Sequence, residues 1–90
     1  MKTQSLGKVL LMKARECSQL MSRMTILYQE KRTKMNPAAV TAMKDCIQGE
    51  SAYRSAFDIF EEKRNIDELL DVISEYNKKL CTCLNEMEKL

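Results

Sequence analysis

A chain of 90 residues with two glycines and one proline has too few turn residues for a β-rich fold. At this length it can enclose one small core at most. The formal charge is only +2 but is unevenly spread: residues 1–34 hold eight basic and two acidic side chains, net +6, and the remainder seven and eleven, net −4. There is no histidine, no glycine-rich phosphate loop and no nucleophile motif, so the composition argues against an enzyme and against a cofactor.

The first predicted helix covers about residues 5–33. Leu6, Leu10, Ala14, Cys17, Met21, Met24 and Tyr28 recur in steps of three and four, which keeps one face of an α-helix. The polar stretch QEKRTKMNP ends it. Asn36 then has the chemistry of an N-cap, and Pro37 takes the first helical position, where its missing N–H costs nothing.

A second helix is expected over 37–62. Its stripe runs Ala39, Met43, Cys46, Glu50, Tyr53, Phe57 and Phe60. Glu50 interrupts the apolar series and Gly49 weakens the helix, so a kink or a close helix approach is expected there. The stripe has no successor in the polar EEKRN of 61–65. Asn65 followed by Glu68 has capping-box spacing and predicts a break; the rival is one long bent helix from 37 to 89.

The third helix, 66–89, has the most regular pattern. Ile66, Ile73, Leu80 and Met87 occupy heptad position a, and Leu69, Tyr76, Cys83 and Leu90 position d, with Leu70 and Leu84 widening the seam. Together these elements predict an all-α fold: an antiparallel helical hairpin or three-helix bundle with coiled-coil-like packing, as a single domain over 1–90.

The four cysteines invite a metal or redox reading. Successive helical residues turn by about 100°, so Cys81 and Cys83 point about 200° apart and cannot share an ion on an intact helix. Zinc also asks for four ligands, commonly including histidine. No metal site is therefore expected. Cys17, Cys46 and Cys83 lie on apolar stripes and read as small core residues. Cys81 lies off its stripe, should face water, and is read as incidental.

More apolar surface is present than three stripes need. Val9, Leu11, Met12 and Ile26 lie off the first seam, and Val40, Ile47, Ala56 and Ile59 off the second. We expect this surplus to be covered by another protein, through a helical segment, or by a second copy in a homodimer. The residues expected to bind that partner are Val9, Met12, Ile26, Val40, Ile47 and Ile59. Seven methionines, Met12 among them, suit a surface that adapts to a helical ligand.

The stretch NPAAVTAMKDCIQGESAYRSAFDIF, residues 36–60, resembles the turn and second helix of type III secretion needle subunits, which also follow an Asn/Asp-Pro turn with a helix carrying a tyrosine near this offset. The resemblance implies a component, or a small helical chaperone, of such a secretion apparatus. The four cysteines, the more apolar first helix and the longer C-terminal segment depart from it. A nucleic-acid-binding regulator using the basic first helix is a further alternative, but its cations are scattered and lack interleaved aromatics, so nucleic acid is not the expected partner. The longest aliphatic run, VLLM at 9–12, is far below the ~20 residues of a membrane span. Lys13 and Arg15 also cut it short of a signal sequence. A cytoplasmic location is expected. The favoured function is thus a non-enzymatic adaptor, chaperone or inhibitor.

Overall fold

The computed structural model describes residues 2–90, with side chains described from Gly7 onward. It is an all-α bundle of three helices: α1 Lys2–Lys31, α2 Pro37–Lys63 and α3 Ile66–Glu88, with a 3-10 turn at Arg32–Lys34 closing α1. The molecule is a rod of 47 × 19 × 16 Å. Its length matches α1, since 30 residues at about 1.5 Å each span about 45 Å.

Both boundaries follow from local chemistry. Pro37 disfavours helix at the residue before it, and Asn36 is extended at φ −100° and ψ 171°. Its Oδ1 accepts the Ala39 N–H at 2.8 Å, which satisfies one orphan donor of α2. At the other end α2 stops on Arg64 in the left-handed region, φ 56°, where its N–H donates to the Phe60 carbonyl at 2.7 Å. A non-glycine residue there costs on the order of 1 kcal/mol, and the Arg64 guanidinium lies 5.7 Å from the Phe60 ring centre. Asn65 then caps α3, accepting the Glu68 N–H at 3.1 Å. The break is real, and the long bent helix is excluded.

The chain runs up, down and up. Cys17 and Glu16 on α1 meet Ile73 and Asn77 on α3, and Arg23 meets Glu88, so α1 and α3 run parallel. Gly49 lies against Tyr76 and Lys79 while Ala56 shares a notch with Leu69, so α2 and α3 run antiparallel. Among the described residues, α3 packs closely on both neighbours, yet no α-carbon of α1 comes within 8 Å of one in α2. The core is therefore a corner built around α3.

Burial shows the same asymmetry. On α3, Leu69, Ile73, Tyr76, Leu80, Cys83, Leu84 and Met87 are buried, which is the predicted heptad with Leu84 beside it; Ile66, Leu70 and Leu90 are half-buried. On α1 only Cys17 is buried among the described side chains, while Leu10, Ala14, Met21 and Met24 are half-buried. Leu6, expected on that stripe, lies outside the described side chains. Tyr28, expected in the seam, is exposed, and Leu20 and Leu27 are half-covered on the flank nearer α3.

The second seam is also rotated. Ala39, Ala42, Cys46, Gly49 and Ala56 are buried, and Met43, Glu50, Tyr53, Phe57 and Phe60 are only half-buried. Small side chains every seven residues, Ala42, Gly49 and Ala56, let α3 approach α2. A Cβ built on Gly49 would sit 3.0 Å from Lys79 Cδ and 3.1 Å from Tyr76 Cδ1, so a close approach, rather than a kink, explains this glycine. Ala56, expected on the spare surface, belongs to this α2–α3 contact.

Candidate functional site

Turning both α1 and α2 toward α3 leaves a furrow between them. On α1, Glu16, Cys17 and Arg23 reach α3, and Ala14, Met21 and Tyr28 lie about 20–60° round the helix from Cys17, on the side away from Glu16 and Arg23. On α2, Met43, Glu50 and Phe57 each follow one of the α3-facing residues Ala42, Gly49 and Ala56, about 100° further round. The Cys46 and Met24 sulfurs, 3.6 Å apart, fix the level at which the two flanks face each other. Tyr28 then stands level with Met43, Met21 with Glu50, and Ala14 with Phe57. These are three layers of a loose seam in which, among the described residues, no α-carbon of one helix comes within 8 Å of the other, although Met21, Met43 and Phe57 pack against the core.

The lips repeat with the same period. Leu11, Ser18 and Thr25 on α1 and Arg32 in the 3-10 turn edge the furrow on one side, and Val40, Ile47, Arg54 and Glu61 of α2 on the other. All eight are exposed, Leu11 at 53% and Ile47 at 58%. Methionine floors the open half, where its flexible thioether can refill an irregular gap.

Of the six residues expected to bind a partner, all are exposed: Val9, Met12, Ile26, Val40, Ile47 and Ile59. They do not share one face. Val40 and Ile47, seven residues apart, sit together on the α2 lip of the furrow. Ile59 lies about 120° round α2 from Ile47 and edges a separate notch of about 80 Å³ between α2 and α3, lined also by Ala52, Ala56, Phe60, Leu69 and Val72. Val9 and Met12 lie toward the α3 side of α1, and Ile26 points about 180° from Cys17, straight outward. Of the residues expected in the seams, Met21, Met43 and Phe57 are half-buried against the core, and Tyr28 is exposed. The signal for the rotated α2 seam was present in Ala42, Gly49 and Ala56, a better seam for a close helix than the aromatic stripe beside them.

The charges add two facts. Glu50 interrupts the apolar stripe because it faces the furrow, where its carboxylate takes both Nε and Nη2 of Arg54, at 3.1 and 2.7 Å. Two basic residues of α1 are paired: Lys13 lies 3.8 Å from Glu16 and Arg23 2.9 Å from Glu88.

The thiols are structural in placement. Cys17, Cys46 and Cys83 are buried and Cys81 is exposed. Burial pushes the Cys46 thiol up to about 12, and raises Cys17 and Cys83 as well. A thiol held this far from its thiolate is a poor nucleophile. Cys17 Sγ donates to the Ile73 carbonyl at 3.7 Å and stitches α1 to α3. Among the described residues no helix is long and apolar enough to cross a membrane. No protein-family model, curated protein or solved structure matches this chain.

Proposed function

We propose that this protein is a non-enzymatic interaction module that holds a helical segment of another protein in the α1–α2 furrow. The observation that carries this reading is the unfinished seam: Ala14, Met21 and Tyr28 face Met43, Glu50 and Phe57 across helices that stay more than 8 Å apart, with Val40 and Ile47 exposed on the lip. A fourth helix laid there would bury these flanks and complete a four-helix bundle. An adaptor, an inhibitor or a small chaperone would each act in this way. The Asn36–Pro37 hairpin is the feature that favours the secretion-apparatus setting, where a small helical chaperone would use the same furrow.

The test is a photo-crosslinking residue placed at position 47, on the furrow lip, and at position 75, on the far side where α2 meets α3. In cells of the source organism, position 47 should give a discrete adduct and position 75 none. Equal adducts at both, or none at either, would defeat the furrow as the binding site.

A further inference from the structure

We propose that the core of this protein holds a binding site for a soft monovalent cation, copper(I) by chemical class. Its ligands are the thiolates of Cys46 and Cys83 and the thioethers of Met24 and Met87, and the site stands independently of what fills the furrow. The observation is a run of four sulfurs across all three helices. Cys46 Sγ of α2 donates to Met24 Sδ of α1 at 3.6 Å. Cys83 Sγ of α3 donates to Met87 Sδ, one turn on, also at 3.6 Å. Cys46 is in addition a hydrogen-bond partner of Cys83, which joins the two pairs. The other thiols stand apart: Cys17 Sγ is turned to the Ile73 carbonyl, and Cys81 is exposed.

The donor chemistry selects the ion. Thiolate and thioether ligands favour copper(I), whereas harder cations ask for oxygen. Among the described residues no polar or charged side chain is buried to offer oxygen or nitrogen, and no three Cys, His, Asp or Glu side chains converge on one point. Zinc, which takes Cys, His or carboxylate, is therefore the poorer fit. At a metal–sulfur distance of about 2.3 Å, two ligands of a tetrahedral ion lie about 3.8 Å apart. The two 3.6 Å contacts already have nearly that spacing, and methionine's flexible side chain lets Met24 and Met87 turn onto a shared centre. Binding releases both thiol protons to water and sets two thiolates against one positive charge. Lys79, whose ammonium favours the Cys46 thiolate, offsets the remaining negative charge. Met24 is half-buried, while Cys46, Cys83 and Met87 are closed off from solvent. The ion therefore enters from the α1–α2 side, thioether first, and passes inward to the thiolates.

The experiment titrates the full chain, reduced and kept under nitrogen, with copper(I) against a chromogenic copper(I) chelator. One equivalent per chain should be withheld from the chelator, with a thiolate-to-copper charge-transfer band in the ultraviolet and a rise in Tm. Losing even an outer-shell partner of a metal site costs about 10–100-fold in affinity, so Cys46→Ala should weaken binding by roughly a hundredfold or more. Met24→Leu, which nearly conserves volume, should weaken it about tenfold, with circular dichroism keeping its helical signal in both variants. Cys81→Ser should change nothing. A folded parent chain that withholds no copper from the chelator would overturn the site. Binding that Cys81→Ser removes and Cys46→Ala spares would overturn it as capture by the exposed thiol. Binding lost in Cys46→Ala yet unchanged in both Met24→Leu and Met87→Leu would overturn the four-sulfur site in favour of the thiol pair alone.

Discussion

α3 and α1 are both long and similarly apolar, yet α3 buries seven side chains and α1 one among those described. The difference lies in phase. On α3 most apolar residues keep a seven-residue repeat and join a single seam, with Cys81 off it and exposed. On α1 they point around the helix: Cys17 inward, Ile26 outward, and Leu11 and Val9 to opposite flanks. One well-phased helix can thus organise the core for two poorly phased ones, and the contact those two never complete is left as surface.

The contrast is sharpest for core truncation. Leu80→Ala on α3 should cost about 2–5 kcal/mol, since Leu80 is fully buried. Leu11→Ala on α1 should stay within about 0.5 kcal/mol in urea melts of the free chain. A large loss at Leu11 would place it in a closed seam.

The two glycines make the same comparison on a smaller scale. Gly49→Val should destabilise by roughly 1–3 kcal/mol, because the branched side chain must displace Tyr76, which is itself buried and stacked 4.8 Å from Tyr53. Gly7→Ala meets nothing within 4 Å and should stabilise, by at most about 1 kcal/mol, through helix propensity alone. Thermal melts of the two variants should move in opposite directions.

These outcomes bear on how the fold is written in the chain. The Asn36–Pro37 cap, the Asn65 cap and the α3 heptad were legible because each rests on local chemistry that no neighbour overrides. The α2 seam was not. Alanine and glycine carry almost no hydrophobic signal, so the larger Met43, Tyr53 and Phe57 dominated the pattern, although close packing on α3 selects small residues. Tyr28 was misplaced for a related reason: its angle suits a symmetric three-way core, and this core is lopsided. The exposed residues themselves were legible one by one. Their division among three faces required knowing which sides of α1 and α2 turn toward α3.

Cap removal should come next in size. Asn65→Ala loses the bond to the Glu68 N–H and should cost about 0.5–2 kcal/mol in urea melts. The pH dependence of stability probes the α3-centred core in a different way. Cys46 has a folded pKa of about 12 against an ordinary 9.0, and Cys17 and Cys83 are raised in the same sense. Below pH 9 both states keep these protons, so the contribution is intact; above it the unfolded chain ionises first, and stability falls as pH rises toward 12. Cys46→Ala should flatten part of that slope. The smallest effect is expected at the α1–α3 surface pair. Arg23→Ala breaks the 2.9 Å bridge to Glu88, but with its side chains 65% and 44% exposed the loss should not exceed about 0.5 kcal/mol.

The central claim is that α3 forms the core and the α1–α2 flank is a free surface. Urea unfolding of Ile73→Glu and Ile47→Glu measures it directly. Ile73 is fully buried and Ile47 is 58% exposed. Ile73→Glu should lose several kcal/mol and unfold a chain this small, because it buries an unpaired charge. Ile47→Glu should stay within about 0.5 kcal/mol of the parent. If Ile47→Glu unfolds the protein as Ile73→Glu does, the furrow is closed core and the account fails.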